Sequence, residues 1–181
     1  TLQEKIQSLY DEHRGLLESD ALSTLERTRF QEILEGRAEP VRYHQALGEL
    51  SKYLHRATGE RVIILIDEYD QPIHAGYVNG YAREVLDFFR VFLTAGLKDN
   101  PHLERGVITG ILRIARESIF SGLNNLGVST LLEPRFATAF GFTEHEVADL
   151  LARAGQSHAL DEVQRWYNGY RFSGHVIYNP W

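Results

Sequence analysis

The chain has 181 residues, of which 43% are hydrophobic and 24% are charged, a composition typical of a folded domain that excludes an intrinsically disordered protein. It contains no cysteine, which excludes disulfides, thiolate zinc sites and cysteine nucleophiles. The formal net charge of -6 argues against a dominant nucleic-acid-binding surface.

No run of apolar residues approaches the roughly 18 that a membrane-spanning helix needs, and the first residues do not resemble a signal peptide. We therefore expect a cytoplasmic protein with no membrane partner. The chain starts at Thr1 and contains no methionine, which favours a piece of a longer protein. The sequence leaves the oligomeric state open.

Three helices are predicted in the first 57 residues. Apolar residues from Leu2 to Leu16 recur at steps of three to four, as on one face of a helix. A second helix, over 22–34, is predicted to follow a cap at Ser19 and Asp20. A third helix, over 40–58, opens with a proline and ends at a glycine.

An apolar run, Val62–Ile66, is followed at once by Asp67, Glu68 and Asp70. An apolar run bounded by charge is typical of a strand buried on both faces, as in the centre of a parallel α/β sheet. Its acids then emerge at the carboxyl edge, where open α/β sheets bind ligands. We interpret the segment as a Walker B strand, with Asp67 for magnesium and Glu68 for activating water.

A polar connection over 71–80 is predicted to lead to a helix over 81–97 and a second buried strand over 106–112. This strand, helix and strand predict a parallel crossover. Farther on, we expect a short strand over 136–140, a helix over 143–154 with a Thr143 to Glu146 capping box, a last helix over 163–167, and a turn at 168–169. The predicted fold is therefore α/β, a partial P-loop-type sheet in 1–141 with a small helical lid in 142–181.

A nucleotide site of this kind also needs a Gly-x-x-x-x-Gly-Lys-Ser/Thr loop to bind the phosphates. The sequence has none, because none of Lys5, Lys52 and Lys98 follows a glycine or precedes a serine or threonine. Either the chain is part of a larger protein or it is a homologue that has lost the loop, and composition favours the first. The eight histidines show no ligand spacing, so no zinc site is predicted.

Six short motifs carry a family resemblance over residues 61–181. They are LIDEYD at 65–70, GVITGILR at 106–113, ESIFSGLNN at 117–125, FGFT at 140–143, WYNGYRF at 166–172 and YNPW at 178–181. In this order they resemble the AAA-ATPase-like family of bacterial P-loop proteins, relatives of the STAND-type ATPases.

The resemblance implies binding of ATP with Mg²⁺, and hydrolysis or nucleotide-dependent switching, in the full-length protein, whereas the isolated chain is expected to be inactive. It places a polar sensor at Thr109, for which a structural role is an equal alternative. Arg113 would contact the terminal phosphate or form a salt bridge within the core. The resemblance also implies a downstream PD-(D/E)xK nuclease-like domain, and through it an indirect link to nucleic acid.

Two other functions stay open. The first is a regulatory or interaction module with an inactive nucleotide site. The second is a metal-dependent nuclease using Asp67, Glu68 and Asp70, which is weaker because such an enzyme needs a lysine beside its acids. Apart from that reaction, Asp70 is expected to be a turn or cap residue, and Tyr69 a packing residue.

Overall fold

The computed structural model describes residues 1–111, 119–120, 122–123 and 126–179. The chain divides into two compact units, Thr1–Leu126 and Gly127–Trp181. The functional division proposed from the sequence, at 141/142, stays a prediction. None of the helices in the described ranges is both long and apolar enough to cross a lipid bilayer.

The first unit begins with helices α1 (Leu2–Glu12), α2 (Thr24–Leu34) and α3 (Pro40–Thr58), with a 3-10 helix, Arg14–Glu18, after α1. The three predicted helices are therefore confirmed. The predicted cap of α2 is wrong, because the Ser19 hydroxyl donates to the Leu16 carbonyl, and Ser23 caps α2 instead. The buried residues of this helical part are Ile6, Tyr10, Leu16, Leu22, Phe30, Ile33, Tyr43, Ala46, Leu50 and Tyr53.

The sheet of the first unit has two strands, β1 (Val62–Ile66) and β2 (Leu103–Ile108), with helices α4 (Gln71–Asn79) and α5 (Ala82–Leu97) between them. The two strands pair in parallel, as predicted, with Leu65 opposite Val107. The polar connection predicted over 71–80 is wrong, because that segment forms α4, which ends at Gly80 in the left-handed conformation.

Strand β1 is buried on one face only, which corrects the expectation of two buried faces. Ile64 is 7% exposed, whereas Ile63 and Leu65 are 62% and 73% exposed. Helix α3 contacts β1, and helix α5 contacts β2. Together with α4, these helices pack against the buried face of the sheet. In the described part of the unit, no element covers the outer face of β1.

The second unit contains a three-stranded antiparallel sheet of β3 (Phe142–Thr143), β4 (Asn168–Phe172) and β5 (His175–Tyr178) in the order β3-β5-β4, so the segment predicted as a helical lid holds strands as well as helices. Helix α6 (Glu144–Arg153) starts at the predicted Thr143 to Glu146 capping box, which is confirmed. The strand predicted over 136–140 is wrong, because Pro134 opens a 3-10 turn there, and the predicted turn at 168–169 lies in a strand. The remaining elements are the 3-10 helices Pro134–Phe136 and Ser157–Ala159 and the helix α7 (Leu160–Tyr167).

Candidate functional site

The candidate site lies where β1 and β2 end. Because the strands are parallel and Ile66 is opposite Ile108, the residues that follow them meet at the same edge. The Thr109 amide donates to the Ile66 carbonyl at 2.9 Å, and the Tyr69 amide donates to the Thr109 carbonyl at 3.1 Å. These bonds bring together Asp67, Glu68 and Thr109, three of the four site residues predicted from the sequence, which we call the Asp67 cluster.

Hydrogen bonds within the Asp67 cluster fix the Asp67 carboxylate. The Thr109 hydroxyl donates to Oδ1 of Asp67, and the Glu68 amide donates to the same oxygen at 3.0 Å and to Oγ1 of Thr109 at 3.4 Å. Within the described residues, no hydrogen bond reaches Oδ2 of Asp67. One carboxylate oxygen therefore orients the group, and the other can accept a cation or a water molecule.

Glu68 has a left-handed backbone conformation, with φ of 50°. For a residue with a Cβ, the left-handed conformation is less stable by about 1 kcal/mol because of steric crowding, and such strain often occurs at functional sites. The side chain of Glu68 is exposed, so water can reach its carboxylate. The local turn thus presents an acid to solvent directly beside Asp67.

Asp70 has a different role from its two neighbouring acids. It is only 4% exposed, and its Oδ2 accepts a hydrogen bond from the Ile111 amide at 3.0 Å. Asp70 lies in a turn and occupies the N-cap position of α4, as expected, but its side chain makes no capping hydrogen bond to that helix. Asp70 instead ties the start of α4 to the turn that carries Thr109.

Tyr69 packs as predicted. It is buried in the cluster of apolar residues around Ile73 and Phe89, and its ring meets Phe120 edge to face, with centroids 5.3 Å apart. This packing fixes the ring of Tyr69, which directly follows Glu68 of the Asp67 cluster.

Gly110 is a part of the site that sequence analysis missed. A Cβ at this position would lie 2.6 Å from Cε1 of Tyr69 and 2.9 Å from Oδ1 of Asp70, closer than real Cβ contacts. Its only sequence signal is a glycine directly after the threonine that ends the second strand segment. Gly110 is therefore required by the close approach of the two turns.

The donor set of the Asp67 cluster fits a magnesium ion. Mg²⁺ is usually held by one or two carboxylates, with water and phosphate oxygens as its other ligands. In the described ranges, no group of three or more His, Asp and Glu side chains forms an all-protein metal site. Asp70 is buried and bonded to Ile111, which argues against the nuclease with three acids. Arg113, predicted to contact phosphate, lies outside the described residues.

Comparison with known proteins identifies a family. A family model, AAA-ATPase-like, described as a predicted AAA-ATPase, matches residues 3–120. The uncharacterized protein in the vnfD 5' region of Azotobacter chroococcum mcd 1 is 36% identical over 134 residues, which make up 74% of this chain. The chain spans 26% of the length of that relative. No solved structure gives a significant match.

Proposed function

The chain belongs to the AAA-ATPase-like family, and from this premise we propose that the Asp67 cluster is one half of an Mg-ATP site that hydrolyses ATP or switches conformation with it. The other half, a phosphate-binding loop, is supplied by another segment of the complete protein. The observation that carries the proposal is the hydrogen bond between the Thr109 hydroxyl and Asp67 at the carboxyl edge of two parallel strands. That edge is where open α/β sheets bind ligands.

Asp67 is the proposed magnesium ligand. Its Oδ1 is held by two donors, the Thr109 hydroxyl and the Glu68 amide, so Oδ2 presents the charge of the carboxylate at a fixed position. When bound, the ion would neutralise charge on the phosphate oxygens. A carboxylate that is already oriented loses little conformational entropy when it binds a ligand, which supports this role.

Glu68 is the proposed general base. Its exposed carboxylate adjoins Asp67 and would orient the attacking water and accept its proton. Thr109 would act through Asp67, since its hydroxyl fixes the carboxylate, and it lies where a sensor of the terminal phosphate is proposed. Arg113 keeps its proposed contact with that phosphate.

The open face of β1 supports a requirement for further segments. Ile63 and Leu65 are exposed at 62% and 73%, although β-branched and aliphatic residues of this kind normally line a core. Covering such a face with additional elements of a sheet is the usual solution in α/β proteins. We therefore place ATP hydrolysis in the complete protein.

The test uses the complete protein and replaces Glu68 with glutamine. Glu68→Gln should still bind ATP with Mg²⁺ but should lose roughly 10²- to 10⁴-fold in hydrolysis, the usual contribution of a general base. The matched control is Glu60→Gln, an exposed acid at the other end of β1, which should hydrolyse ATP at the wild-type rate.

Wild-type turnover in Glu68→Gln would remove Glu68 from the mechanism. If the unaltered complete protein bound no ATP in the presence of Mg²⁺, the nucleotide site itself would be refuted. An inactive regulatory module would then be the better description.

A further inference from the structure

Two histidines that are far apart in sequence meet at the amino-terminal end of the sheet. His55 lies in the last turn of α3, and His102 directly precedes β2. Their Nδ1 atoms are 2.9 Å apart, and their ring centroids are 5.2 Å apart with an interplanar angle of 65°. The Val62 amide donates to the His102 carbonyl, so this pair lies at the end of β1 opposite the Asp67 cluster.

The backbones of both histidines are fixed. The His55 carbonyl accepts from the Gly59 amide at 2.9 Å, at the left-handed end of α3. The His102 amide donates to Oδ1 of Asn100 at 3.0 Å, and its carbonyl accepts from Val62 at 2.9 Å. The fold therefore brings the two imidazoles together, and a ligand that needs both nitrogens finds them already close to each other.

We propose that His55 and His102 form a binding site for a late first-row divalent metal ion of the Ni²⁺ or Cu²⁺ type. Metal to imidazole nitrogen distances are about 2.0–2.1 Å, so two nitrogens at a right angle around one ion lie about 2.9 Å apart. That right angle belongs to square-planar and octahedral coordination, whereas a tetrahedral ion would need a separation of about 3.4 Å. The observed separation of 2.9 Å is that of a hydrogen bond between the metal-free rings, and it equals the value that right-angle coordination needs.

Binding requires a change of tautomer and a rotation of the imidazole rings, because in the hydrogen bond the two Nδ1 atoms are directed at each other and not at a common point. Without metal, one Nδ1 carries a hydrogen and donates it to the other Nδ1. With metal, that hydrogen resides on Nε2 of the same ring after exchange through solvent, and both Nδ1 lone pairs face the ion. The number of protons on the neutral pair is unchanged.

The site is open to solvent, and two of the cations near it are paired with a carboxylate. His102 lines a groove of about 400 Å³ between α3 and the connection from α5 to β2, which gives water access to complete the coordination shell. Lys52 and Arg56 lie near the pair, but both are paired with the Glu26 carboxylate, at 2.5 Å and 3.1 Å. The described residues add no third His, Asp or Glu ligand, so two imidazoles and water make up the shell.

The experiment titrates NiCl₂ into the metal-free chain, without an affinity tag, by isothermal calorimetry, with ZnCl₂ as a second probe. The wild-type chain should bind one Ni²⁺, more tightly than Zn²⁺, and its melting temperature should rise with the metal concentration. His55→Gln and His102→Gln should each bind Ni²⁺ at least about tenfold more weakly, because each loses one of two ligands. The matched control is His175→Gln, an exposed histidine on β5, which should bind as the wild type does.

A readout on the unaltered chain keeps the test valid if a variant fails to fold. Paramagnetic Ni²⁺ should broaden the imidazole NMR signals of His55 and His102 before those of the other histidines. Wild-type affinity in either variant, an equal loss in His175→Gln, tighter binding of Zn²⁺, or broadening that begins at other histidines would overturn the proposal. No nucleotide is involved, so the outcome is independent of the ATPase proposal.

Discussion

The hydroxyl of Thr109 donates a hydrogen bond to the carboxylate of Asp67, 42 residues away in sequence. The same hydroxyl accepts from the amide of Glu68. Thr109 therefore joins the ends of the two strands through its side chain as well as through its backbone, and its removal should affect the chemistry proposed for both acids.

We expect Thr109→Val in the complete protein to reduce ATP hydrolysis by roughly 10- to 100-fold. Valine keeps the branched shape but loses a hydrogen bond to a charged group, worth about 1.5–3 kcal/mol. Thr109→Ser retains the hydroxyl and should restore most of the activity. Steady-state phosphate release measures both variants, and a wild-type rate in Thr109→Val would leave Thr109 with a structural role only.

Gly110→Ala should lower the free energy of unfolding by about 1–3 kcal/mol, the usual cost of overpacking a rigid site. The new methyl group would meet the buried Tyr69 ring, which cannot move aside because it packs against Phe120. Gly15→Ala is the control, since a Cβ there meets nothing within 4 Å. Urea unfolding compares the two variants, and equal free energies of unfolding would show that the turn at Tyr69 can shift to accommodate the methyl group at little energetic cost.

Glu68→Gly should raise the free energy of unfolding by about 1 kcal/mol while abolishing the proposed hydrolysis. Glycine adopts the left-handed conformation of this position without steric cost and keeps the amide that bonds Asp67. Glu60→Gly should instead lower the free energy of unfolding, because Glu60 does not have a positive φ. A destabilised Glu68→Gly would mean that the glutamate side chain supports the fold.

Glu26 should make the stability of the first unit depend on pH. Burial by itself would raise the pKa of its carboxyl, but hydrogen bonds from Lys52 and Ser23 outweigh burial and hold the pKa at about 2. Because the folded pKa lies below the unfolded one, the stabilisation is complete above about pH 5 and is lost as the pH falls towards 2.

The predicted loss between pH 6 and pH 3 is about 2 kcal/mol from Glu26 alone. Urea unfolding at both pH values should show a smaller drop for Glu26→Gln than for the wild type. Glu35→Gln, an exposed carboxylate paired with Arg37, should retain the full drop. If Glu26→Gln lost as much stability as the wild type, its ion pairs would have no net effect on folding.

Local sequence signals predicted much of the first unit. Helix α3 was predictable from the proline at its start and the glycine at its end, and β1 from an apolar run ended by acids. The Asp67 cluster was predictable because parallel strands end at the same edge of a sheet. In each case the feature could be predicted from residues that are close together in the sequence.

The rest depends on tertiary contacts. Helix α4 was missed because its Gly76 is a weak helix former, yet Gly76 lets the helix approach Ala82 closely, with a Cβ position 2.9 Å from its Cα. Strand β4 was missed because it opens with Asn-Gly, a turn signal, whereas the actual turn at Ser173 and Gly174 has positive φ at both residues. The bond from Ile111 to Asp70 and the meeting of His55 with His102 have no local sequence signal at all.

The long connection between β1 and β2 also affects the order of folding. Helices α1 and α2 pack against each other and are close in sequence, whereas pairing the strands closes a loop that contains α4 and α5. Closing a longer loop costs more chain entropy, and non-local pairs form slowly. Helices α1 and α2 are therefore expected to assemble first, and in pulse-labelling hydrogen exchange the amides of Thr109 and Ile111 should gain protection later than those of α1 and α2.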